Sequence, residues 1–411
     1  MIRDHDTIAA PATAAGGALA VIRISGEEAL RICDRIFRGR KPLAAAAGYT
    51  VHYGEIVDDG RVLDDVLVTV FRAPRSYTGE DAAEISCHGS QYIVSEILRL
   101  LTASGARMAG PGEFTIRAYL AGKLDLSQAE AVADIIASSS RAAHALAANQ
   151  MRGGYSDALE GLCEKLLELT ALLELELDFS EEEVEFADRA QLREAMQRIG
   201  AHIDALRNSF TLGNAIKEGV AVAITGAPNV GKSTLLNRLL NEERVLVSDI
   251  AGTTRDVIEE RINIDGVVFR FLDTAGIRST DDRLERMGIE RTMESIRRAQ
   301  IVIHMIDAPT LAETLPEPDF TLRPDQKILT VANKIDKASA SLNLPENIIA
   351  ISAKQGTGID HLCDALRRTV DTEALYHGDP VVSNSRHYEA LTTAREALDR
   401  ALDGLGNDLP A

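Results

Sequence analysis

Gly226-Ala227-Pro228-Asn229-Val230-Gly231-Lys232-Ser233 follows the apolar run Val220–Thr225 and precedes a helix-like stretch, Ser233–Leu240. GxxxxGK[ST] between a strand and a helix is the pattern of a phosphate-binding loop. Its glycines let backbone N–H groups turn inward, and the helix N-terminus behind them adds a favourable dipole. Lys232 is expected to reach the β- and γ-phosphates and the Ser233 hydroxyl to ligate magnesium. A structural glycine turn does not account for the lysine and serine together.

Three further motifs follow in order. Asp273-Thr274-Ala275-Gly276 ends the strand-like run Val267–Leu272, which sets Asp273 at a sheet edge where it can hold magnesium through water and leaves the Gly276 N–H for the γ-phosphate. Upstream, Gly252-Thr253-Thr254-Arg255-Asp256 lacks regular periodicity, as a switch loop does, and Thr254 is the expected second magnesium ligand. Asn333-Lys334-Ile335-Asp336 follows the apolar stretch Leu329–Ala332. The Asp336 carboxylate can accept from N1–H and the exocyclic amine of guanine, donors that adenine lacks. Ser352-Ala353-Lys354 then supplies a second wall for the base. The expected nucleotide contacts are Asn229, Val230, Gly231, Lys232, Ser233 and Thr234; Ser248, Asp249, Ile250, Ala251, Gly252, Thr253 and Thr254; Asp273, Thr274, Ala275 and Gly276; and Asn333, Lys334, Asp336, Ser352, Ala353 and Lys354. Four elements in this order are the set of a GTP-binding, GTP-hydrolysing domain.

Alternating strand-like and helical runs over residues 214–374 predict a doubly wound, mostly parallel sheet for this domain. Residues 1–118 mix short apolar runs such as Val66–Phe71 with Gly and Pro punctuation and read as an α/β domain. Residues 119–213 carry Leu162, Leu166, Leu169 and Leu173 at helical spacing, and His387–Leu405 within 375–411 reads as one more amphipathic helix. That helix is expected to pack back on the 119–213 bundle, making the nucleotide domain an insertion. The acidic run Glu174–Glu183 has no paired ligand spacing and reads as a solvated helix end and turn.

At 411 residues the chain exceeds one core, and a formal net charge of −19 excludes a broad electrostatic grip on nucleic acid, so contact with RNA is expected to be local or partner-assisted. Cys33, Cys87, Cys163 and Cys363 form no CxxC pair and read as reduced thiols. The Ala-rich start is broken by Pro11 and Gly16-Gly17, no run suits a bilayer, and a cytoplasmic location is expected.

Outside the nucleotide motifs, Asp6-Thr7-Ile8-Ala9, Val21–Gly26, Tyr77-Thr78-Gly79-Glu80-Asp81, Cys87-His88-Gly89, Pro111–Ala118 and Gly122–Ala131 are specific matches. With them the chain resembles the MnmE (TrmE) family of bacterial tRNA-modification GTPases from Asp6 to about Leu402. The resemblance implies an N-terminal dimerising domain that binds a tetrahydrofolate derivative (5-formyl- or 5,10-methylene-) and a helical domain with the G domain inserted in it. It implies Arg23, Glu80 and Lys123 as folate contacts, two cations for the glutamate carboxylates and Glu80 for the pterin. Catalysis would rest on Lys232, Thr254 and Glu285. Ile277 stands where small signalling GTPases carry glutamine, so Glu285 would orient the attacking water. A potassium ion held by Asn229, Ser248, Thr253 and the Ile250 carbonyl would supply the charge an arginine finger supplies elsewhere.

The resemblance further implies a homodimer that works with the flavoprotein MnmG. Together they would install carboxymethylaminomethyl or aminomethyl groups at carbon 5 of the wobble uridine of certain tRNAs, with folate delivering the one-carbon unit. It also implies a last helical stretch and a Cys-(Ile/Val)-Gly-Lys tail, and no cysteine follows Cys363. On that ground the alternative is a dimeric folate-binding scaffold with a regulatory GTPase and no modification activity. A ribosome-assembly GTPase fits the G domain equally well, but the chain lacks a KH-type GxxG segment and is acidic.

Overall fold

The structure is a computed structural model that describes residues 6–14, 16–178, 189–242, 259–272, 285–311, 320–338, 344–370, 375 and 377–406. The chain divides into two compact units, Met1–Val132 and Ala133–Ala411.

The first unit is built on β1 (Ile8–Pro11), β2 (Leu19–Ser25), α1 (Ala29–Ile36), β3 (Phe37–Gly39), β4 (Thr50–Asp58) and β5 (Arg61–Phe71). There follow β6 (Ala82–His88), α2 (Gln91–Ala103), β7 (Arg107–Met108), α3 (Glu113–Leu120) and α4 (Leu126–Ala137), the last running past the division between the units. The seven strands form one sheet in the order β3-β4-β5-β6-β2-β1-β7, antiparallel except where β7 lies parallel to β1. The period of two is plain in β2 and β5. Ile22, Ile24, Val66, Val68 and Val70 face the core, where Leu30, Cys33 and Ile36 of α1 and Ile97 and Leu101 of α2 pack on them. Leu67 of β5 points the other way, and Val51, Tyr53 and Leu67 are exposed. Asp59-Gly60, at φ +45° and +85°, closes the β4–β5 hairpin in the left-handed region that a two-residue turn of this kind requires. The expected boundary at residue 118 falls inside α3.

The second unit begins with α5 (Arg141–Met151), α6 (Gly154–Asp178) and α7 (Arg189–Glu218) and ends with α11 (Ser385–Gly406). Tyr155, Leu162 and Leu169 of α6 share one core with Leu192, Met196, Ile199 and Ile203 of α7 and with Leu391 and Leu398 of α11. Helical pieces on both sides of the nucleotide domain in sequence therefore form a single bundle. The returning chain is fastened before α11 starts. Gln150 Nε2 donates to Ser383 Oγ at 2.9 Å and to the Val381 carbonyl at 3.3 Å, and Ser209 Oγ accepts from the Val382 N–H at 3.0 Å. Of the acidic run Glu174–Glu183, residues 174–178 close α6 and the remainder lies outside the described residues.

Between these helices stand β8 (Val220–Gly226), α8 (Lys232–Glu242), β9 (Glu260–Ile264), β10 (Val267–Phe271), α9 (Glu285–Arg298), β11 (Ile301–Asp307), β12 (Lys327–Asn333), β13 (Ile348–Ala350) and α10 (Ile359–Arg368). The sheet order is β13-β12-β11-β8-β10-β9, parallel throughout except for the β9–β10 hairpin at one edge. β8 is buried along Val220–Thr225, as a central parallel strand covered on both faces must be. One face packs Leu235, Leu236 and Leu239 of α8 together with Ile359, Leu362 and Leu366 of α10. The other packs Ile296 of α9 and Ala299. From β8 the chain goes first to β10 on one side and later to β11 on the other, so the carboxyl end of β8 is the switch point at which such sheets bind ligands.

Candidate functional site

The loop between β8 and α8 leaves the sheet at that switch point. Gly226 stands at φ +141°, Asn229 at +59° and Gly231 at +105°, a succession that only glycine and asparagine tolerate readily. The glycines are also sterically required. A Cβ on Gly226 would lie 2.2 Å from the Met305 carbonyl oxygen, and one on Gly231 2.3 Å from Asn333 Nδ2. Lys232 Nζ donates to the carbonyls of Gly226 and Ala227 at 2.7 and 3.0 Å, which lays its ammonium across the mouth of the loop. Burial lowers the Lys232 pKa, and a polyanion drawn to the loop would offset that desolvation. Ser233 is half-buried in the first turn of α8, Thr234 and Asn229 are exposed, and Val230 is buried.

Asn333 ends β12, is 3% exposed, and joins two loops. Its Nδ2 donates to the Val230 carbonyl at 2.7 Å, and its Oδ1 accepts from the Ala353 N–H at 3.0 Å. Lys334 follows in the left-handed conformation at φ +66°, and its Nζ meets Asp307 Oδ2 at 3.0 Å. Asp336 is exposed, and Ser352 Oγ donates to its Oδ1 at 2.6 Å, a bond that lowers the carboxyl pKa. Residues 226–234, 333–336 and 352–354 thus gather at the carboxyl edge of one sheet, joined by direct hydrogen bonds. Ser248, Asp249, Ile250, Ala251, Gly252, Thr253 and Thr254, and Asp273, Thr274, Ala275, Gly276 and Ile277, lie outside the described residues. Glu285 is the first residue of α9.

In the first unit, of the three residues singled out by resemblance, Glu80 ends the stretch Tyr77–Glu80, and Arg23 and Lys123 stand beside it. Arg23 and Ser25 project from the same side of β2. Arg23 Nε and Nη2 donate to Glu84 Oε1 at 2.9 and 2.7 Å, and the guanidinium lies 5.0 Å from the Tyr77 ring centre and 5.6 Å from that of Phe114. Glu80 accepts from Ser25 Oγ at 2.7 Å and from Arg117 Nη1 at 3.0 Å. Lys123 Nζ donates to the Pro74 carbonyl at 2.9 Å, and its Cγ lies 3.7 Å from where a Gly79 Cβ would be. Each charge is already met by the protein, so a charged ligand would share or exchange these partners.

Sequence reading missed the groups that hold the site residues: Asp307, Ser25, Glu84, Arg117, and Arg238, whose Nη2 donates to the Lys354 carbonyl at 2.7 Å. Asp307 had a readable signal, a carboxylate closing a parallel strand. Arg117 is 6% exposed, and its partners are Glu80, Glu113 and Asp6, the last through both its carboxylate and its backbone carbonyl. The i,i+4 spacing announces the Glu113–Arg117 pair, but nothing in spacing brings Asp6 and Glu80 to it. Among the described residues, no helix is long and apolar enough to cross a membrane, and no group of three or more His, Cys, Asp and Glu residues could hold a metal ion.

The chain is similar to known proteins along nearly its whole length. Residues 7–123 match the family described as GTP-binding protein TrmE N-terminus, and residues 126–411 match the MnmE helical domain. The tRNA modification GTPase MnmE of Cytophaga hutchinsonii is 50% identical over 98% of this chain and 89% of its own length. The protein of that name from Flavobacterium johnsoniae is 49% identical over 99% of this chain and 91% of its own. Among solved structures, a variant of Aquifex aeolicus Era bound to GDP.AlF4- is similar over 36% of this chain and 56% of that one, with 32% identity and a TM-score of 0.26. With matched domains on both sides of residue 125 and relatives half identical along nearly the whole length, the chain belongs to the MnmE (TrmE) family of GTPases.

Proposed function

We propose that the chain is a potassium-dependent GTPase of tRNA modification, which reads guanine with Asp336 and holds the phosphates in the loop after β8. The observation that carries this reading is the Asn333 link, because one buried amide fixes the phosphate loop against the base loop and so sets the distance between the two ends of a nucleotide. Lys232 carries the positive charge for the β- and γ-phosphates. Ser233, Thr254 and Asp273 are the magnesium ligands, Asp273 through water. Asn229, Ser248, Thr253 and the Ile250 carbonyl are the potassium ligands. Ser233 and Asn229 offer only oxygen at the loop mouth as ligand atoms, which suits hard cations. When bound, these ions supply positive charge to oxygens that gain negative charge as the phosphoryl group moves. Glu285 orients the attacking water, a task the apolar Ile277 cannot perform.

The polar cluster around Tyr77–Glu80 fits a folate. Arg23 and Lys123 are cations for the glutamate tail, Glu80 is an acceptor for the pterin, and the Tyr77 and Phe114 rings stand beside Arg23. Such a folate supplies a one-carbon unit. We infer that the chain acts in the cytoplasm as a homodimer, with MnmG as partner, on carbon 5 of the wobble uridine of certain tRNAs. GTP hydrolysis then drives a conformational cycle of that complex rather than the bond formation. The test is GTP turnover in potassium and in sodium at matched ionic strength, for the unaltered chain, Asn229→Ala and Glu285→Ala. Potassium-selective stimulation lost in Asn229→Ala, with turnover lost in Glu285→Ala, is the expected result. Equal rates in the two salts would overturn the cation mechanism.

A further inference from the structure

Arg238 lies on α8, six residues after Lys232, and reaches the loop that follows β13. Its Nη2 donates to the Lys354 carbonyl at 2.7 Å, and its Nε donates to the Ala353 carbonyl at 3.3 Å. The N–H of the same Ala353 donates to Asn333 Oδ1. Ala353, 2% exposed, is therefore gripped at its N–H by the end of β12 and at its carbonyl by α8. The residue before it is Ser352, whose hydroxyl donates to Asp336. A short chain of contacts thus runs from α8 through the 352–354 backbone to the carboxylate that faces the base.

Two adjacent carbonyls are a good match for a guanidinium, whose donors form a rigid planar fork. The amide of glutamine can satisfy one of them, and alanine neither. Freed from Arg238, the two carbonyls would be served by water, and Ser352 would lose the fixed position from which it orients Asp336. Recognition of this type depends on placement to within about 0.5 Å.

We propose that Arg238 is a positioning residue for base recognition: it holds the 352–354 loop so that Asp336 meets the guanine N1–H and exocyclic amine together. The proposal rests on the reading of 333–336 and 352–354 as the base site. It makes the helix that carries the phosphate-binding lysine also the support of base selectivity.

The test compares dissociation constants of GDP, inosine diphosphate and ADP for the full chain, Arg238→Gln and Arg238→Ala, with thermal midpoints recorded without nucleotide. Inosine diphosphate lacks only the exocyclic amine, so its ratio to GDP reports how well Asp336 is placed. Loss of a charge-assisted hydrogen bond corresponds to about tenfold in affinity. The expected result is a GDP affinity about tenfold weaker in Arg238→Ala, a clearly smaller loss for inosine diphosphate, which keeps N1–H but has no amine to lose, and an intermediate ratio in Arg238→Gln. If Arg238→Ala does not fold, the ratio in Arg238→Gln decides. Equal losses for GDP and inosine diphosphate, with the ratio unchanged, would overturn the proposal and leave Arg238 a general support of the fold. If the unaltered chain does not prefer GDP to ADP, the base-site reading itself fails, an outcome distinct from failure of the Arg238 proposal.

Discussion

Replacing Asn333 by alanine removes both of its hydrogen bonds at once and strands the Val230 carbonyl and the Ala353 N–H in a dry environment. Each stranded group costs about 1–3 kcal/mol, so Asn333→Ala is expected to lower the thermal midpoint and to weaken GDP binding by more than about tenfold. Calorimetry and nucleotide titration check this, and an unchanged midpoint would contradict it. The motif around Asn333 was readable in sequence, but its structural role was not. Its two partners are backbone groups 103 and 20 residues away, which carry no side-chain signature. The cysteines follow the same division. None of the four is joined in a disulfide. Their reactivities differ for a reason only burial reveals: it pushes the Cys33 thiol up to about 12 and the Cys87 thiol up to about 11, whereas Cys163 is exposed. Alkylation at about pH 8 followed by mass spectrometry should label Cys163 first and leave Cys33 and Cys87 intact until the chain is denatured. Rapid labelling of Cys33 in the folded chain would contradict that burial.

Elements were read most securely where residue identity and periodicity agreed. The run Val220–Thr225 followed by a glycine-rich loop became β8 and the turn into α8, and the stretch His387–Leu405 became α11, observed as Ser385–Gly406. The crossing that fastens α11 to the bundle was not readable, because it turns on Gly213, whose Gly-Asn dipeptide reads as a turn yet lies inside a helix. A Cβ there would lie 2.1 Å from the Val382 carbonyl oxygen, so α7 and the returning chain touch backbone to backbone. Gly213→Ala is therefore expected to destabilise the helical bundle by about 1–3 kcal/mol, the usual cost of overpacking. A lowered thermal midpoint with GDP affinity preserved is the anticipated pattern, and an unaltered midpoint would show that the crossing is loose.

For the molecule as a whole, ion pairs support both units, and those of the first carry a pH dependence. In the first, Glu113 is pulled down to about 2, chiefly by hydrogen bonds from Arg107 and against the effect of its own burial. Asp6 is lowered by the same arginine first and by Arg117 next. Carboxyls held below their ordinary values add stability that is complete above the ordinary carboxylate range and is lost as pH falls toward about 2. Circular dichroism in acid should show the first unit losing stability over that window, and Arg107→Ala should flatten the dependence while lowering stability at neutral pH. An identical acid profile in the variant would contradict the assignment.

In the second unit, the proposed GTPase reading depends on guanine being read by Asp336. Exchange of that carboxylate for an amide keeps the acceptor for N1–H but replaces the acceptor for the exocyclic amine with a donor, which suits the 2-oxo group of xanthine. The most direct measurement is therefore hydrolysis of GTP and xanthosine triphosphate by the full chain and by Asp336→Asn. The unaltered chain is expected to prefer GTP and the variant to reverse the preference. A variant that keeps its selectivity for GTP would contradict the placement of guanine at Asp336, and with it the site on which the function rests.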